Sequence, residues 1–157
     1  MRAKLMSISS RCRWFFVVAV FALASTSGCS DGKIARYPVT GVVKVDGQPA
    51  DGAMIFFCPV NPGPEVEHLR PSGKADASGN FTLTTIDVAD GAPAGQYKVL
   101  IQWPKPMPIV DDGRDGRGAK MGPDRLKNKY YNLETTPLSA TVEEKSNELP
   151  PFELTTK

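Results

Sequence analysis

Gln96-Tyr97-Lys98-Val99-Leu100-Ile101-Gln102-Trp103 alternates with a period of two along its length. Tyr97, Val99, Ile101 and Trp103 fall on one face, and Gln96, Lys98 and Gln102 make up most of the other. Successive side chains of an extended chain point to opposite sides, so this pattern specifies a strand with one buried face. Pro104 ends it, because proline has no N–H to give to a ladder.

The same signal recurs on both sides of this strand. Residues 39–45 form a β-branched run, followed by the turn pair Asp46-Gly47 and a loop to Gly52. Residues 53–58 read as a second strand stopped by Pro59, with Cys58 expected as a small apolar core residue. Residues 59–72 hold four prolines and a glycine and read as an irregular loop. Residues 74–76 form a short strand entering the turn Ala77-Ser78-Gly79-Asn80. Phe81-Thr82-Leu83-Thr84-Thr85 leaves that turn with Phe81 and Leu83 inward and the threonines outward. Residues 86–95 are again loop.

Beyond Trp103, residues 104–122 form a long loop, with the glycine-rich charged stretch Asp111-Asp112-Gly113-Arg114-Asp115-Gly116-Arg117-Gly118 at its centre. Loops this long inside a compact domain are uncommon. Pro123 suits the first position of one or two helical turns over 123–131. Residues 138–142 and 152–155 complete the set. Seven short strands separated by turn signals predict an all-β, seven-stranded antiparallel sandwich of Ig-like form with long loops.

The order of these motifs resembles a known family. Val39-Thr40-Gly41-Val42-Val43, Asp46-Gly47, Pro49-Ala50 and Gly52-Ala53 resemble the opening hairpin of carboxypeptidase regulatory-like domains. Asp76-Ala77-Ser78-Gly79-Asn80-Phe81 is similar to their turn into a strand, and Ala94-Gly95-Gln96-Tyr97-Lys98-Val99 to the aromatic strand that follows. The ending Thr136-Pro137-Leu138, Val142, Asn147-Glu148-Leu149 and Phe152-Glu153-Leu154 is similar to that of small bacterial lipoproteins carrying such a domain. The resemblance spans residues 38–155. It implies a transthyretin-like sandwich serving as an accessory or interaction module, without catalytic residues. Gly47 and Gly79 then supply backbone with φ > 0, and Phe81, Tyr97, Val99 and Phe152 supply core.

The N-terminus reads as an address. Arg2, Lys4, Arg11 and Arg13 precede an eleven-residue apolar run from Trp14 to Ala24, then Ser25-Thr26-Ser27-Gly28-Cys29. The run is too short to span a bilayer, which needs roughly 20 residues, and fits the apolar centre of a helical export signal. Thr26-Ser27-Gly28-Cys29 resembles a lipobox, with Thr26 where an aliphatic residue is usual. The expected organisation is a lipoprotein signal peptide over 1–28, a lipidated tether over 29–36 beginning at Cys29, and the sandwich domain over 37–157. The protein is then exported and held by a palmitate-type anchor on the cell membrane or outer membrane. Four of the 19 basic residues and none of the 17 acidic ones lie in 1–28, so the mature chain carries about −2. That balance leaves no footprint for nucleic acid.

Nothing in the residue pattern specifies a reaction. His68 is the only histidine, and with Glu65 and Glu67 it falls short of a converged zinc site. No Gly-x-Ser-x-Gly elbow is present. Counting from Asp111, the third and twelfth positions of a calcium loop are Gly113 and Gly122, which lack the side-chain oxygens the pattern requires. Lys44 and Asn147, with Glu148 or Glu153 near, have the order of a strand-to-strand amide cross-link found in some related surface domains, although alternation turns Lys44 to the polar face. The expectation is a non-enzymatic structural or interaction module with no cofactor and no metal. It contacts the membrane through its anchor and an envelope protein through its surface. The alternative is a carbohydrate- or small-ligand-binding lipoprotein using Trp103, Tyr130 and Tyr131 as stacking surfaces.

Overall fold

Two sheets sharing one core build the domain in the computed structural model, which describes residues 34–106 and 122–157. Among the described residues there are nine strands and no helix. They are β1 (Val39–Val45), β2 (Gln48–Pro49), β3 (Met54–Pro59), β4 (Ser72–Lys74), β5 (Asn80–Thr82), β6 (Gly95–Gln102), β7 (Ser139–Val142), β8 (Asn147–Glu148) and β9 (Phe152–Leu154). The expected seven become nine because the short β2 and β8 carry too few residues to show a period.

β1 is the centre of the first sheet. One of its edges pairs antiparallel with β5 and then with β2, and the other pairs parallel with β8 and then with β9. Those two parallel pairs depart from the expected all-antiparallel arrangement. A parallel pair needs a long crossover, and here most of the domain lies between the partners. The second sheet runs β4-β3-β6-β7, antiparallel throughout.

Alternation decides what is buried. Val39, Val43 and Val45 of β1 face Ile55 and Phe57 of β3 and Tyr97, Val99 and Ile101 of β6 in one apolar cluster. Leu83 is buried beside them and Thr82 is exposed, as the period-two reading requires. Phe81 stacks on Phe152 at 6.2 Å between ring centroids, and Phe57 meets Tyr97 at 5.5 Å. Burying each such large side chain stabilises the fold by about 1.5–3 kcal/mol. The Tyr97 hydroxyl donates to the Pro93 carbonyl, and burial pushes its pKa up to about 12.

Three expectations change. Cys58 is not in the core: it is half-buried on the outward side of β3, in phase with Met54 and Phe56, because the register with β6 turns Ile55 and Phe57 inward. Residues 123–131 form successive turns instead of helix, with Lys127 and Asn128 at φ of 55° and 59°. The third strand lies at Ser72–Lys74, two residues earlier than 74–76. Gly47 and Gly79 do take positive φ, 79° and 81°.

Candidate interaction surface

β6 has two edges with different neighbours. Its even-numbered backbone groups bond to β3. Its odd-numbered groups need other partners, since a buried N–H or C=O left unpaired is costly. At the start of the strand, β7 supplies them over Gly95–Lys98. Farther along, Val99 N–H donates to the Leu138 carbonyl, and the Val99 carbonyl accepts from the Thr136 hydroxyl. Ile101 N–H donates to the Tyr130 carbonyl. Trp103 N–H donates to the Asp124 carboxylate at 2.8 Å, and its carbonyl accepts from Arg125 N–H. The 124–138 segment thus closes the edge that the four-residue β7 cannot reach. Asp124 organises it by also accepting from Leu126 and Asn128 N–H.

This pattern fixes the phase of β7. Leu138, Ala140 and Val142 turn their backbone groups toward β6, so Ser139 and Thr141 turn theirs away. β7 is the last strand of its sheet. Among the described residues, the outward N–H and C=O groups of Ser139 and Thr141 have no hydrogen-bond partner. Beside this open edge is a groove of about 490 Å³ lined by Pro137 to Thr141 on one wall and by Leu149, Pro150, Pro151 and Phe152 on the other. It is the mouth between the two sheets, with walls more apolar than polar and unpaired backbone donors and acceptors along its rim. Exposed strand edges are usually guarded by charge, proline or a bulge. Ser139-Ala140-Thr141 has none of these, and only Pro137 stands guard before it. That short uncharged stretch is the sequence signal for the edge, but its openness depends on strand order.

The aromatic residues expected to stack on a ligand do not come together as an open platform. Trp103 is partly buried, its indole N–H donates to the Asp51 carbonyl, and the Arg125 guanidinium lies 4.3 Å from its ring centroid. Tyr130 is buried, its hydroxyl accepts from Thr155 N–H, and Lys129 lies over its ring. Tyr131 alone is exposed, edge-on to Phe56 at 5.7 Å.

The other candidates also separate. Lys44 pairs with Glu153, its register partner on β9, at 3.5 Å. Asn147 sits opposite Val39 at the far end of β1, buried and bonded to the backbone of Glu143 and Lys145. The Lys44–Asn147 cross-link is therefore not formed. His68, Glu65 and Glu67 are exposed on their loop. Among the described residues, no three His, Cys, Asp or Glu side chains converge on a possible metal position. The 111–118 stretch and Cys29 lie outside the described residues. The Cys58 thiol is free, and burial raises its pKa above the ordinary thiol value, which does not favour the nucleophilic thiolate. No protein-family model matches the chain, and no curated protein matches it.

Proposed function

We propose that the chain is a lipid-anchored β-sandwich of the cell envelope, of the transthyretin-like, carboxypeptidase regulatory-like type, working as a non-catalytic interaction module. The signal layout ending at Cys29 supports the anchor, and the order of turn and strand motifs over 38–155 supports the type. The observation that carries the interaction reading is the open β7 edge beside its apolar groove. An extended segment of an envelope protein adds there as a further strand, with backbone bonds giving affinity and alternate side chains entering the groove. The outward groups of Ser139 and Thr141 offer up to about four such bonds, each worth ~0.5–1.5 kcal/mol net. A glycan-binding role has less support, since Trp103 and Tyr130 are committed within the fold.

Two experiments test the two halves. Metabolic labelling with a fatty-acid analogue is expected to mark the wild type and to be lost in Cys29→Ala; labelling that persists in the mutant sinks the anchor. For the edge, a photo-crosslinking residue at Ser139 in the intact protein, in its native membranes, is expected to give a discrete adduct. Thr141→Pro removes an outward donor without touching the bonds to β6. It is expected to abolish that adduct while thermal stability changes by only a few degrees. An adduct that survives Thr141→Pro counts against strand addition.

A further inference from the structure

The chain enters the domain beside the loop that follows β5. Tyr37 and Ala92 exchange both backbone hydrogen bonds, at 2.9 and 3.0 Å. Arg36 reaches the same loop: its Nε is 2.7 Å from Asp90 Oδ2, close in distance though out of line for a hydrogen bond. Asp90 holds the loop from within, accepting from the N–H groups of Thr85, Ile86 and Asp87 at 2.6, 3.1 and 3.0 Å. The Thr84 hydroxyl accepts from Ala89 N–H, and Gly91 N–H donates to the Leu83 carbonyl. The backbone from Leu83 to Ala92 is fixed by these bonds.

This fixed loop turns its apolar side chains outward. Ile86 is 62% exposed and Val88 93% exposed, the two most exposed large hydrophobics among the described residues. A single exposed valine needs no explanation. Two on a loop braced against the residues where the chain enters call for a partner.

The sequence limits how far that partner lies. Seven residue steps separate Cys29 from Arg36, at most about 25 Å fully extended and about 15 Å on average for a flexible chain. A domain of this size is roughly 35 Å across. A lipid on Cys29 therefore keeps the Arg36 end nearer the bilayer than the far end. We infer that Ile86 and Val88 dip into the headgroup–acyl boundary of the bilayer that holds the anchor, so that the domain stands on the membrane by the 83–92 loop.

This rests on the lipid-anchor reading and extends it from a tether to an orientation. Asp87, the charged residue between Ile86 and Val88, is ion-paired with Arg36 at 3.5 Å, so the contact this loop offers is mainly apolar.

The test uses the full acylated protein in phosphatidylcholine vesicles carrying lipids brominated high on the acyl chain. Tryptophan is placed at Val88 or, as a control at the opposite tip of β1, at Gln48; both positions are exposed. Val88→Trp is expected to be quenched at least about threefold more than Gln48→Trp, since interfacial side chains sit within roughly 5–10 Å of the boundary. Equal quenching at the two positions, in protein that floats with the vesicles, overturns the orientation and leaves the anchor standing. Protein that neither floats nor takes up the fatty-acid label overturns both.

Discussion

Gly91 shows how one atom decides a connection. Its φ is +83°, and an added Cβ would lie 1.7 Å from the Tyr37 carbonyl oxygen. Both the backbone angle and the contact exclude a side chain. Gly91→Ala is expected to lower stability by about 3 kcal/mol or more, the size seen when strain and collision combine, measured by denaturant unfolding. A midpoint within error of wild type would show that the loop is free to move away. Turn chemistry marks Gly47 and Gly79 in the sequence, since each follows a residue with turn preference. Gly91 carries the same mark after Asp90, but its close contact shows no local sign, because the oxygen it must clear is 54 positions earlier. Trp103 is similar: alternation turns it inward, but the Arg125 guanidinium above it and the Asp51 carbonyl at its N–H come from distant parts of the chain.

At the scale of an element, β3 is the instructive case. Met54-Ile55-Phe56-Phe57-Cys58 is apolar throughout, so it offers no alternation from which to assign a face. Pairing with β6 makes the choice, placing Ile55 opposite Ile101 and Phe57 opposite Val99. A slip of one residue would have buried Phe56 and Cys58 instead. The two neighbouring phenylalanines are therefore unequal. Phe57→Ala is expected to cost about 3–5 kcal/mol, as for a large side chain removed from a packed core. Phe56→Ala, which loses an edge contact with Tyr131, is expected to cost about 1 kcal/mol. Equal losses in chemical denaturation would contradict the register. Residues 123–131 make the same point for helix: Pro123 suits a helix start, but the open edge of β6 captures Asp124, Arg125 and Tyr130 as hydrogen-bond partners.

Across the whole molecule, acidic side chains fasten turns and, at Asp46, join distant parts of the chain. Asp46, in the β1–β2 turn, accepts from the Thr156 hydroxyl and so holds the C-terminal residues to the far tip of β1. Asp76 closes the turn before β5 through the N–H groups of Ser78 and Asn80. The Thr156 hydrogen bond holds Asp46 below the ordinary carboxylate value, and the Asn80 backbone bond does the same for Asp76. For Asp90 burial pushes upward, but the N–H groups of Thr85, Asp87 and Ile86 and the charge of Arg36 outweigh it. A carboxylate whose folded pKa is lowered contributes stability that is fully present above its unfolded value, about 3.9. That contribution is lost as pH falls through the lower folded value. Thermal stability is expected to fall as pH drops below about 4, and Asp90→Asn is expected to flatten that fall. An unchanged slope in Asp90→Asn would remove Asp90 from this role.

The sequence alone determined an all-β chain, the inward residues of β5 and β6 and the polar face of β1 at Lys44, because period two is a local property that each strand carries in its own residues. It also holds the basic-then-apolar order ahead of Cys29 on which the export proposal rests, and that order does not depend on folding. Tertiary structure decided which face of β3 is buried, that β8 and β9 run parallel to β1, and that β7 keeps an edge open beside a groove. It also decided that Trp103 and Tyr130 are held within the fold, and that Ile86 and Val88 are held outward beside the start of the domain. Each of these is a pairing between segments far apart in the chain, and no short stretch of residues contains its own partner.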